Sequence, residues 1–162
     1  PWTDPMTSMF VPLRLRAATQ GRQVTWLELF FDLVFVAAVA QVASPLHGDY
    51  SPSGLVRLAP LFALVWWAWT GHSVYSTRFD TDDGLQRALT LLQMFAVTVM
   101  AANAGDALDS VSAAGFVAAY AVVRLVLVAQ YARARQVRRA RAIATHYAAG
   151  HGAAAVLWLL SA

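Results

Sequence analysis

The chain has 162 residues, of which 59% are hydrophobic and only 13% are charged. Soluble domains average about 25% charged residues, and a domain of this size has too little interior to bury so much apolar surface. The composition therefore predicts an all-α protein, a polytopic helical bundle integral to a membrane, and it excludes a soluble domain. The sequence contains no cysteine, which excludes disulfides, thiol catalysis and zinc–thiolate sites within these residues.

Five apolar segments come close to the about 20 residues that one helical crossing requires. They predict transmembrane helices near residues 25–44, 53–77, 85–104, 111–131 and 143–162. A leader, residues 1–23, precedes them, and residues 24–162 form the transmembrane domain. The fifth segment is still apolar at Ala162, so we expect the chain to be the N-terminal part of a longer protein.

Arginines alternate between the predicted connections. The leader carries three, the connection after the second segment begins with Arg78, and the connection before the fifth carries five, whereas the other two connections carry none. By the positive-inside rule this predicts a multi-pass protein with a cytoplasmic N-terminus. The same distribution accounts for the isoelectric point of about 9.8, so we expect no nucleic-acid partner.

The first segment holds two acids one helical turn apart, Glu28 and Asp32. Glu28 forms a T-x-x-E capping box with Thr25 and lies at the positive end of the helix dipole, which explains it structurally. Asp32 lies roughly 10 Å inside the predicted helix at 1.5 Å per residue. An unpaired carboxylate at that depth costs several kcal/mol, so Asp32 should be protonated, hydrated or paired.

Other helices offer polar residues at a similar depth. Arg124 is also roughly 10 Å from the cytoplasmic end of its segment, Gln93 lies at roughly 12 Å, and His72 lies nearer the cytoplasm. We predict that four of these side chains form one polar cluster for binding or ion coupling: Asp32, His72, Gln93 and Arg124. Glu28 and Arg78 should lie at the mouth of this cluster. The alternative is an ion pair that only fixes the helix register.

Metal and cofactor chemistry has little support in the sequence. Three aspartates crowd one short connection, Asp80, Asp82 and Asp83. They could ligate a divalent cation, but Asp82 or Asp83 also suits the N-cap of the next helix, which is the commoner role. His146 and His151 are five residues apart and lie on different helix faces, without an H-E-x-x-H motif. We therefore predict no metal, no cofactor and no catalytic residue.

Several blocks of the sequence resemble one bacterial family. "VTWLELFFDLVFVAAVAQVA" closely resembles the opening helix of the low temperature requirement protein A family, marked by an E-L-F-F-D-L-V-F-V block, and "WWAWTGHSVYSTRFDTDD" resembles its next block. The motif residues carried over besides Glu28, Asp32 and Arg78 are Phe30, Phe31, Phe35, Asp80, Asp82 and Asp83. The resemblance implies a multi-pass protein of the bacterial inner membrane linked by name to growth in the cold. It implies no reaction.

These observations favour a membrane protein that moves or senses an ion or small solute, with Asp32 as the charge-changing group and Arg124 as its counter-charge. The alternative is a non-transporting scaffold or envelope factor that supports growth in the cold. An intramembrane enzyme acting on lipid, with Glu28 or Asp32 as acid or base, has the least support. The lipid bilayer is the expected partner, and the sequence leaves the oligomeric state open.

Overall fold

The computed structural model describes residues 14–15, 25–47, 50–80, 83–105, 107, 113–137 and 141–160. Within these ranges the chain is helical apart from one pair of two-residue strands. The elements in chain order are β1 (Arg14–Leu15), α1 (Trp26–Ala43), a short 3-10 helix (Ser44–His47), α2 (Pro52–Arg78), β2 (Phe79–Asp80), α3 (Gly84–Ala102), α4 (Ala114–Ala134) and α5 (Arg141–Leu160). The helix bounds differ from the predicted ones by one to three residues. Most of the predicted leader lies outside the described residues.

Side-chain caps fix where the first three helices begin. Thr25 and Glu28 form the predicted capping box: the Thr25 hydroxyl accepts from Glu28 N at 3.2 Å, and a Glu28 carboxylate oxygen accepts from Thr25 N at 3.4 Å. Ser51 caps α2, accepting from Gly54 N at 3.1 Å. Asp83 caps α3, as the sequence allowed. Each cap satisfies a backbone N–H that has no partner within its own helix.

The core of the bundle lies around α4. Most of this helix is buried apart from one exposed stripe that includes Leu125. It packs mainly against α3 and α5 and less extensively against α2. Gly71 permits the close approach of α2, since a Cβ built there would lie 2.8 Å from Cδ1 of the buried Leu127. A glycine at this position therefore sets the distance between α2 and the central helix.

Within the part of the chain that the structure describes, three helices are long and apolar enough to cross a membrane: α1 together with the following turn (Trp26–Leu46), α3 and α4. The protein is thus a membrane-type helical bundle, while crossings by α2 and α5 stay predictions. Helix α1 is the least buried of the three, with 17% of its apolar window inside the bundle. Its outer side presents large apolar side chains, among them Trp26, Leu33 and Val36, as a surface in contact with lipid does.

The two short strands join the leader to the α2–α3 connection. Arg14 pairs with Asp80 and Leu15 with Phe79 in antiparallel register. Residues 14–15 of the leader therefore lie at the same end of the bundle as this connection. This is the relation expected of two segments on one side of a membrane; that the side is cytoplasmic stays a prediction.

Candidate functional site

A cavity of about 340 Å³ lies between α1 and α2, and Asp32 is part of its wall. The lining combines two carboxylates, an imidazole, an indole and three hydroxyls: Glu28, Asp32, Trp69, His72, Ser73, Ser76 and Thr77. The two acids come from the first turns of α1, and the remaining groups come from the last three turns of α2. Three of the predicted site residues, Glu28, Asp32 and His72, thus meet at one cavity.

Asp32 is held by a tryptophan. Its carboxylate accepts a hydrogen bond of 2.8 Å from Nε1–H of Trp69, and the Trp69 ring stacks on Phe35 at 5.2 Å between centroids. Asp32 is otherwise exposed on the surface of the described bundle. No described arginine forms an ion pair with it. The carboxylate therefore keeps oxygen lone pairs for a ligand.

His72 is fixed on two sides. Its ring stacks on Phe31 with 3.7 Å between the ring centroids. Its Nδ1 lies 3.0 Å from the amide oxygen of Gln93, so His72 and Gln93 are in contact, as predicted. Because an amide oxygen only accepts, Nδ1–H donates, and Nε2 of the neutral ring carries the lone pair. Nε2 is buried and has no hydrogen-bond partner. His72 thus adds an unused acceptor beside the acids.

The hydroxyls of α2 also present acceptors. Ser76 Oγ donates to the carbonyl of Ser73 at 3.2 Å, and Thr77 Oγ1 donates to the carbonyl of Val74 at 3.1 Å. Their protons are used within the helix and their lone pairs remain. The cavity is therefore rich in acceptors and suits a proton or a small cation. Among the described residues, no three histidine, aspartate or glutamate side chains come close enough to hold a metal ion.

The predicted pair of Asp32 with Arg124 is wrong. Arg124 is buried on α4, where Nη1 donates to Nδ1 of His151 at 2.8 Å and Nη2 donates to the Tyr120 hydroxyl. Its guanidinium also lies 4.7 Å from the centroid of the Tyr120 ring. Equal depth along two helices fixes only their height in the bundle, and α4 directs Arg124 towards α5. The predicted polar cluster is therefore divided between two places.

Arg124 and His151 line a second cavity, of about 390 Å³, between α2, α4 and α5. Its other lining residues are Trp67, His146, Tyr147, Gly150 and Ala154. Trp67 and Trp69 are two residues apart and so lie about 200° apart around α2. The two cavities therefore flank α2 on opposite sides, one acidic and one basic.

The α2–α3 connection ties three helices together. Arg133, in the last turn of α4, donates to both carboxylate oxygens of Asp83, with Nη1 to Oδ1 at 2.9 Å, while Oδ1 also accepts from Gln86 N at 2.9 Å. Arg78 lies 5.7 Å from the ring centroid of Tyr147 and does not line the acidic cavity, so its predicted place at the mouth is wrong. Asp82 and the side chain of Asp80 lie outside the described residues.

Sequence reasoning missed His151 and Arg133 as partners. A usable signal existed for His151: Arg124 lies ten residues before the end of α4, and His151 lies ten residues after the start of α5. In an antiparallel helix pair these positions face each other at about 15 Å from the connection. Arg133 was counted only as a topology signal, although a guanidinium at a helix end can also bind a capping carboxylate bidentately.

Comparison with known proteins assigns the family. The bacterial low temperature requirement A protein (LtrA) family matches residues 23–162. The chain belongs to the LtrA family. An uncharacterized protein of Rhizobium meliloti (strain 1021) is 37% identical over 84 residues, which are 51% of this chain and 20% of that protein. The LtrA-family chain thus aligns with about one fifth of this relative, and no solved structure matches it.

Proposed function

We propose that this LtrA-family membrane protein binds and moves a cation at the cavity between α1 and α2, with a proton as the simplest case. The observation that carries the proposal is that Asp32 and His72 line one cavity, and that Nε2 of His72 has no hydrogen-bond partner. No described arginine neutralises Asp32. A cation in this acceptor-rich cavity would offset the cost of an unpaired carboxylate within a membrane.

Asp32 is the group whose charge would change. Protonation or cation binding cancels its charge, while one of its oxygens still accepts from Trp69 Nε1–H. The hydroxyls of Ser73, Ser76 and Thr77 offer further oxygen ligands along α2 towards the end of the bundle at which Asp83 lies. Arg124 has no part in this mechanism, because it forms no pair with Asp32.

A second candidate is a non-transporting membrane scaffold that supports growth in the cold. The Asp32–Trp69 hydrogen bond favours it, because this bond joins α1 to α2 without any ligand. The stacking of Phe31 on His72 also joins α1 to α2, and the His72–Gln93 hydrogen bond joins α2 to α3. In a scaffold, these side-chain contacts would hold the helices together, and the cavity would be a gap between them that binds nothing.

Flux measurements separate the two candidates. The full-length protein is reconstituted in liposomes, and proton and potassium flux are measured for the wild type and for Asp32→Asn, which keeps an acceptor for Trp69. Asp83→Asn is the matched control, because it changes a carboxylate outside the cavity. Transport predicts that flux is lost in Asp32→Asn and retained in Asp83→Asn. Absence of flux in the wild type, with Asp32→Asn markedly less stable, would favour the scaffold.

A further inference from the structure

We propose that the basic cavity between α2, α4 and α5 binds an oxyanion with a net negative charge carried on an apolar group, of the kind found in a fatty-acid carboxylate or in the phosphate of an anionic phospholipid. This site is separate from the cation cavity, and the proposal does not rest on it. The argument uses the charge of Arg124, two buried donors and the apolar walls of the cavity.

The charge of Arg124 has no acidic counterpart among the described residues. The side chain is 2% exposed, and its hydrogen-bond partners, Tyr120 and His151, are neutral acceptors. An arginine remains charged in a protein, and a buried charge is costly unless an opposite charge compensates it. The ring of Tyr120 contributes part of the compensation as a cation–π contact. An anion in the adjoining cavity would supply the rest.

Two residues that line the cavity, Arg124 and His151, each have a buried N–H group without an acceptor. The guanidinium can only donate, so Nδ1 of His151 accepts from it, and the proton of the neutral imidazole is on Nε2. That Nε2–H and the Nε–H of Arg124 are both buried without a partner. Orphaned buried donors are rare in folded proteins. Two on neighbouring residues that line one cavity point to a ligand with acceptor oxygens.

The remaining walls select an apolar ligand body. Trp67 and Tyr147 present aromatic rings, and Gly150 and Ala154 leave room between them. A Cβ added at Gly150 would meet nothing within 4 Å. Arg124 and His151 lie about 15 Å from the ends of α4 and α5 that face their connection. At that depth an amphiphilic anion can enter from the bilayer, whereas a hydrated inorganic anion would lose its water shell.

The test is a binding titration on the full-length protein in phosphatidylcholine nanodiscs. Octanoate is titrated calorimetrically, empty nanodiscs are subtracted, and octanol serves as the uncharged probe of equal length. We expect saturable binding of octanoate and none of octanol at the same concentrations. Arg124→Gln should weaken octanoate binding about tenfold or more, since it removes the charged donors.

Gly150→Leu is the decisive variant, because it fills the cavity without changing any charge or hydrogen bond. We expect it to abolish octanoate binding while the thermal unfolding midpoint is unchanged or raised. Gly105→Leu is the matched control, since a Cβ at Gly105 also meets open space but lies away from the cavity. Octanoate binding that survives Gly150→Leu, equal binding of octanol, or no saturable binding to the wild type would each overturn the proposal.

Phosphatidylglycerol in the nanodiscs distinguishes the two sources of the oxyanion. If it raises the apparent Kd of octanoate, the phosphate of an anionic lipid occupies the site. If the Kd does not change, the site takes a free carboxylate. Both outcomes require the Arg124 and Gly150 variants to behave as stated.

Discussion

Substituting Arg133 should lower the free energy of unfolding more than substituting its ion-pair partner Asp83. The Asp83 side chain has no exposed surface, whereas 13% of the Arg133 side chain is exposed. Arg133→Gln would leave a buried carboxylate without its guanidinium, and breaking a buried pair costs about 3–5 kcal/mol. Because Gln86 N still donates to that carboxylate, we expect the lower end of this range, about 3 kcal/mol of unfolding free energy.

Asp83→Asn should cost less, about 1–2 kcal/mol, because it removes a charge-assisted hydrogen bond but no cap. Asparagine is as good an N-cap as aspartate, so the hydrogen bond from Gln86 N survives. Arg133 keeps one acceptor, the amide oxygen of the substituted side chain, and its exposed part can turn further towards solvent. The double variant should then show a coupling of about 1–2 kcal/mol between the two positions, as for side chains that share one hydrogen-bonded pair.

Unfolding of the full-length protein in mixed detergent micelles, titrated with dodecyl sulfate and followed by circular dichroism, measures these costs. Arg78→Gln is the matched control at the same end of the bundle; it loses only a cation–π contact with Tyr147, worth about 0.5–1 kcal/mol. Equal costs for Asp83→Asn and Arg133→Gln, or additive effects in the double variant, would refute the reasoning.

Three further predictions concern packing and hydrogen bonding inside the bundle. Phe31→Ala should cost about 3 kcal/mol because the ring is buried against His72, whereas Phe30→Ala, whose side chain is 54% exposed, should cost less than about 1 kcal/mol in the same unfolding assay. Gly71→Ala should lower stability by about 1–3 kcal/mol through its clash with a buried leucine of α4; an unchanged midpoint would contradict the close approach. Gln93→Leu should cost about 1–3 kcal/mol by leaving His72 Nδ1 unpaired, and adding His72→Leu should recover part of that loss.

Local signals in the sequence predicted the helices and their beginnings well. Thr25 with Glu28 predicts a capping box that the structure contains, and Asp83 was one of the two residues predicted to cap α3. Both features depend on residues within four positions of each other, so no tertiary information is needed. Membership of the LtrA family was also accessible, because it rests on contiguous blocks of residues.

The composition of the polar site was only partly predictable. The depth of a side chain along its helix follows from counting residues, and it correctly predicted that His72 and Gln93 are close together. The direction in which a side chain leaves its helix depends on which helices are neighbours, and the positions of Asp32 and Arg124 alone do not determine that. The same limitation applies to Phe30 and Phe31, which are adjacent in the motif but point to the outside and the inside of the bundle.

The placement of the two cavities on opposite sides of α2 has a thermodynamic consequence. A rotation or shift of this one helix changes the shape of both, so occupancy of one cavity can alter the free energy of filling the other. For the two proposed ligands, linkage then requires that the factor by which the anion changes the affinity for the cation equals the factor by which the cation changes the affinity for the anion. Measuring one affinity at two fixed concentrations of the other ligand gives this factor, and α2 is the element that would transmit it.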